Sequence, residues 1–154
     1  MTMQLVHYLG RLHRSSDELA RAFDEVAAGH GAEIDVEHIC RILAGQCRDH
    51  SARLAPFLDR YGEEAADEPE RLHADLFGDG ARGGALGLML DLHDLYLMTC
   101  DCSMSWTMVG QAAQGVRDDG LLDVVQACEE ETLMQMRWLR TRLKQAAPQT
   151  LVVV

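Results

Sequence analysis

Apolar residues recur along this chain at alternating intervals of three and four, the period that gathers one side of an α-helix. From Met3 to about Ala28 the stripe is Leu5, Tyr8, Leu9, Leu12, Leu19, Phe23 and Val26, and the Gly-His-Gly at 29–31 ends it. A second run, from about Ala32 to Tyr61, carries Leu43, Cys47, His50, Leu54, Phe57 and Tyr61 on one face and stops at Gly62. Pro56 lies inside it, and its missing N–H predicts a kink one turn before the end. The third run follows Gly-Asp-Gly-Ala-Arg-Gly-Gly and reaches about Val116. One of its faces reads Leu86, Leu90, His93, Leu97, Cys100, Met104, another Leu88, Leu92, Leu95, Cys102, Trp106, Val109. A helix apolar on nearly all sides is expected to be the most buried of the set. The fourth runs from about Leu121 to Ala147, capped by Asp118 or Asp119 and halted by Pro148. Arg137, Arg140, Arg142 and Lys144 gather near its C-terminal end, which suits the helix dipole.

Four runs of roughly 26 to 32 residues would each be ~40 to 48 Å long, matched as the members of one bundle. The links between the first pair and the last pair are short and make antiparallel hairpins, whereas the middle link, Gly62 to Gly83, can traverse the whole bundle. A short helix is expected on the way, in Pro-Glu-Arg-Leu-His-Ala-Asp-Leu-Phe at 69–77. With 154 residues, 47% hydrophobic, the chain is expected to form one domain spanning 1–154. Three prolines and 5% aromatic residues agree with an all-α fold.

The net charge of −11 sets the chain against nucleic acid and anionic membrane surfaces, since both demand clustered Lys and Arg. Much of the acidity falls between Asp59 and Asp79, with eight acidic and two basic residues, and reads as a solvated connection. Asp91, Asp94 and Asp101 interrupt the most hydrophobic stretch, so no segment reaches the ~18 apolar residues a bilayer span needs. The N-terminal decapeptide Met-Thr-Met-Gln-Leu-Val-His-Tyr-Leu-Gly has no secretory pattern, and a cytoplasmic location is expected. In that compartment five cysteines, an odd number, read as free thiols.

With two hairpins and a long connection between them, the chain resembles the ferritin-like superfamily, in particular its small bacterial members. That family's di-iron proteins take a Glu from the first helix, Glu-x-x-His from the second, a Glu from the third and Glu-x-x-His from the fourth. By position, Glu18 in Ser-Ser-Asp-Glu-Leu-Ala-Arg-Ala-Phe is similar to the first ligand, and Cys47 and His50 fall where the second motif would lie. Cys102 takes the place of the third-helix Glu, Glu131 that of the fourth, and Met134 stands where the last His would be. The resemblance therefore implies a ferritin-like four-helix bundle, with one long crossover between helices two and three and a degenerate di-iron site.

Thiols at two carboxylate positions and a thioether at an imidazole position do not suit di-iron, which takes hard oxygen donors. Two readings stay open. Cys47, His50, Cys102 and Glu131, with Glu18 beside them, could form a zinc or redox site. Alternatively His50 is a buried histidine held by Glu18 or Glu131, and the bundle is a non-catalytic structural or interaction protein without a cofactor. Cys100 and Cys102 cannot chelate together, being ~200° apart around a helix. His93 reads as a satisfied core or interface histidine, and Met89, Met98, Met104, Met108, Met134 and Met136 as gap-filling core. No nucleophile, phosphate-loop or dinucleotide motif occurs. The apolar surplus of the third helix, only part of which the long connection can cover, and the terminal Leu-Val-Val-Val predict a homodimer, with a further protein partner possible.

Overall fold

A computed structural model describes residues 3–62 and 80–152 of the chain. Four helices account for nearly all of them: α1 (Met3–Gly29), α2 (Ile34–Tyr61), α3 (Gly84–Gly115) and α4 (Asp119–Leu151), with no strand among the described residues. Each helix follows its stripe. Leu9, Leu12, Leu19 and Phe23 of α1 meet Leu54 of α2, Leu92, Leu95 and Trp106 of α3, and Leu139 of α4 in a single buried core. Each such side chain contributes about 1.5–3 kcal/mol by leaving water. No described helix is long and apolar enough to cross a membrane.

The helix ends are tied by polar contacts that set the pairing. At one end Asp118 caps α4 by accepting the Leu121 N–H at 3.0 Å, while its second oxygen accepts Tyr61 Oη at 2.6 Å and Arg60 Nη1 at 2.8 Å. At the other end Arg142 of α4 donates to Asp35 at 2.7 Å and to Glu33 at 3.3 Å, beside the start of α2. His30, just past α1, reaches Asp91 near the start of α3. The end of α2 thus lies with the start of α4, and the end of α1 with the start of α3. Residues 63–79, including the short helix expected at 69–77, lie outside the described residues.

Four sequence expectations are corrected. Pro148 does not halt α4, which continues to Leu151 and closes with the Val152 N–H on the Pro148 carbonyl. A proline costs only one backbone donor, and in the last turn little helix remains to be lost. Because α4 is longer than expected, the basic residues from Arg137 to Lys144 are absent from its last turn, and Arg142 serves an inter-helix ion pair. Nor is α3 buried on all sides: the face of Leu88, Leu92, Leu95, Cys102, Trp106 and Val109 is buried, while Leu86, Leu90, Leu97 and Met104 are exposed. His93 shares that outer face and is exposed too, not a core histidine of the chain. By contrast, α2 runs through Pro56 to Tyr61, the end expected of its run.

Candidate functional site

The bundle gathers the singled-out residues around its middle. His50 is buried because its helical neighbours Cys47, Leu54 and Phe57 all face inward. Its ring stands edge-on to the buried Trp106, with centroids 5.8 Å apart and planes at 89°. Its Nε2 lies 2.9 Å from Glu131 Oε1, and since the carboxylate only accepts, this contact places the proton on Nε2. Glu131 itself is 37% exposed, so the pair links the core to the surface.

Cys47, one turn before His50, faces Gln135 of α4, its Sγ 3.9 Å from Oε1. The Gln135 amide also donates to Gln46 Oε1 at 3.0 Å. Burial pushes the Cys47 thiol up to about 12, with a smaller opposing effect from the Gln135 contact. Burial likewise raises Cys102 well above the usual thiol value, and the neighbouring Cys47, Asp101 and Glu18 add to it. Glu18 is half-buried on α1. Both thiols are therefore held protonated, the inert form of a cysteine.

On α4 the inward line is Cys128, Thr132, Gln135 and Leu139. Glu131 stands at its edge, and Met134, expected at the ligand position, is 61% exposed. Three residues past an edge position is ~300° of rotation, which carries Met134 outward and leaves the inward place to Gln135. Gln135 was not among the residues the sequence pointed to; its signal is the four-three spacing from Cys128 through Thr132. Among the described residues no three His, Cys, Asp or Glu side chains come together as a metal ion would need.

His50 sets a pH dependence. Burial, the largest influence, lowers its pKa from 6.5 despite the opposing pull of Glu131 and Asp49; Arg53 reinforces the lowering. The unfolded chain thus binds the proton more readily than the folded one. The associated stability is complete above pH 6.5 and is lost as pH falls towards the folded-state value. Urea midpoints at pH 7.5 and 5.5 are expected to differ less in His50→Leu than in the parent protein. An identical difference in both would assign the acid sensitivity elsewhere.

A second polar cluster lies at the end of the bundle where α1 finishes. Asp91 is fully buried in α3, and its carboxylate accepts from His30 Nε2 at 2.7 Å, the Arg82 backbone N–H at 2.9 Å and Arg82 Nη1 at 2.8 Å. Arg82 Nη2 continues to Asp94 at 2.8 Å. Glycines let the segment before α3 come this close: a Cβ on Gly29 would stand 2.5 Å from Ala81 Cβ, and one on Gly87 would stand 2.8 Å from the Arg82 backbone. The donors and acceptors of the cluster are spent on one another, so its chemistry is that of a clasp. The sequence matches no protein-family model and shows no significant similarity to any curated protein.

Proposed function

We propose that the chain is a ferritin-like bundle with a degenerate metal centre, acting as a structural or interaction protein through contacts with other proteins, a second copy of itself foremost. The observation that carries this reading is the donor set at the middle of the bundle. Gln135 takes an inward place, His50 spends its Nε2 on Glu131, and among the described residues no three His, Cys, Asp or Glu side chains come together. Oxygen activation at paired irons needs bridging carboxylates, and only Glu18 and Glu131 stand at the corresponding positions. The ferritin-like assignment draws support from the helix ends: α2 finishes beside Asp118 and α3 starts beside His30, so a long crossover between them accounts for the connection.

Fe(II) supplied in air is expected to oxidise no faster with the protein than in buffer, followed by absorbance and oxygen uptake. Stoichiometric, protein-dependent oxidation would overturn the proposal. Elemental analysis of the same preparation tests the zinc alternative: no stoichiometric zinc is expected, and stoichiometric zinc that is lost in His50→Leu would make the centre a metal site after all.

A further inference from the structure

We infer that the outward face of α4 is a self-complementary interface, on which a second copy packs antiparallel about a two-fold axis between Leu133 and Met134. This deepens the self-association proposed above and rests on it. Asp123, Glu130, Arg137 and Lys144 follow one another at intervals of seven residues, so they share one line along the helix. Leu133 and Met134 flank the middle of that line. All six are exposed, Leu133 by 47% and Met134 by 61%. The acids occupy the first half of the face and the bases the second, and the pattern inverts about its midpoint. Glu130 stands three residues before Leu133 and Arg137 three after Met134, while Asp123 stands ten before and Lys144 ten after. A two-fold contact requires such inversion, because whatever residue i touches must touch i in return. In the antiparallel pair Glu130 of each copy is level with Arg137 of the other, Asp123 with Lys144, and Leu133 with Met134. Ion pairs thus lie on both sides of an apolar centre, each contact occurring twice.

The charges on this face are unspent within the chain. Among the described residues none of Asp123, Glu130, Arg137, Arg140 and Lys144 has an ion-pair partner, whereas the half-buried Arg142 of the same helix is held by Asp35. Arg137, Arg140 and Lys144 instead neighbour one another at three and four residues, a like-charge arrangement that destabilises a helix on its own. The helix dipole does not account for it, since its effect fades within the first and last turns and Glu130 and Arg137 lie mid-helix. A second copy supplies the acids those bases lack. Arg140, level with Ala127 of that copy, comes within a turn of both of its acids. The net charge of −11 on each chain does not forbid the contact, because paired charges touch directly while repulsion between the remainder is screened beyond ~8 Å at physiological salt.

Charge reversal tests both the face and its register. Glu130→Arg and Arg137→Glu, each at an exposed position and so compatible with folding, are expected to weaken self-association roughly ten-fold or more by light scattering, since either sets like charges against each other twice. Helical circular dichroism should stay intact. Mixing the two variants should restore association as a heterodimer, because every contact at these two levels then joins opposite charges. Sodium chloride raised from about 50 to about 500 mM is expected to weaken the parent dimer roughly ten-fold, as contacts between exposed charges require. A parent dimer that neither variant weakens would overturn this face but leave self-association standing. Variants that weaken singly and fail to combine would overturn the two-fold register. A parent protein that stays monomeric at tens of micromolar in low salt would overturn the face and self-association together.

Discussion

Asp91→Ala is expected to destabilise the fold by about 3–5 kcal/mol, the cost of removing one partner from a buried charged cluster. The carboxylate is wholly screened from water and holds three groups at once, the His30 ring, the Arg82 guanidinium and the Arg82 backbone N–H. Without it the His30 ring, itself only 6% exposed, faces a cavity, and a backbone donor loses its acceptor. The neighbouring Asp94 offers the control, since its bond to Arg82 lies at the surface. Asp94→Ala is expected to cost about 0–1 kcal/mol. Urea unfolding of the two variants measures the contrast, and equal losses would show that the clasp adds nothing beyond a surface ion pair.

Trp106→Ala is expected to cost about 3–5 kcal/mol, the loss for a large aromatic in a well-packed core. The indole is completely buried and forms the wall against which His50 stands. For a domain of this size the loss corresponds to a fall in Tm of roughly 10 °C at about 2–4 °C per kcal/mol. Its Nε1 finds no hydrogen-bond partner among the described residues, so the cost belongs to shape and apolar area, not to polarity. Trp106→Phe, which keeps most of the area and removes the unpaired donor, is accordingly expected to cost under about 1.5 kcal/mol. A loss in Trp106→Phe as large as in Trp106→Ala would mean that the indole N–H has a partner after all.

The helices were legible in the sequence because each buries a continuous stripe. The expected run from Met3 to about Ala28 is α1 to within a residue, and the run ending at Tyr61 stops where α2 stops. What periodicity could not rank was the two apolar faces of α3. Leu90 and Leu92 are alike in sequence, and only the position of the neighbouring helices buries one and exposes the other. The meeting of His50 with Glu131 was one of two partners the pattern allowed, and contact with the fourth helix selected it. The Asp91 cluster was missed because its members are local puzzles with a distant solution. His30 sits in a glycine stop and Asp91 reads as a charge interrupting an apolar run, yet they lie 61 positions apart in the chain. An aspartate inside so apolar a segment was the available signal.

The seam between α2 and α4 is the most sparsely packed of those between neighbouring helices, and polar contacts cross it along its length: Cys47 and Gln46 with Gln135, His50 with Glu131, and Asp118 and Arg142 at the ends. The α1–α2 and α3–α4 hairpins, by contrast, are closely packed and joined by short turns. Such contacts are near in sequence and form rapidly, on the scale of helical hairpins, whereas bringing the halves together means closing the long middle segment first. The expected order of assembly is that each hairpin forms independently, the two dock through the shared apolar core, and the polar α2–α4 contacts form last. The seam holding Cys47 and His50 is accordingly expected to open first in the native molecule, seen as the earliest loss of amide-exchange protection in α2 and α4.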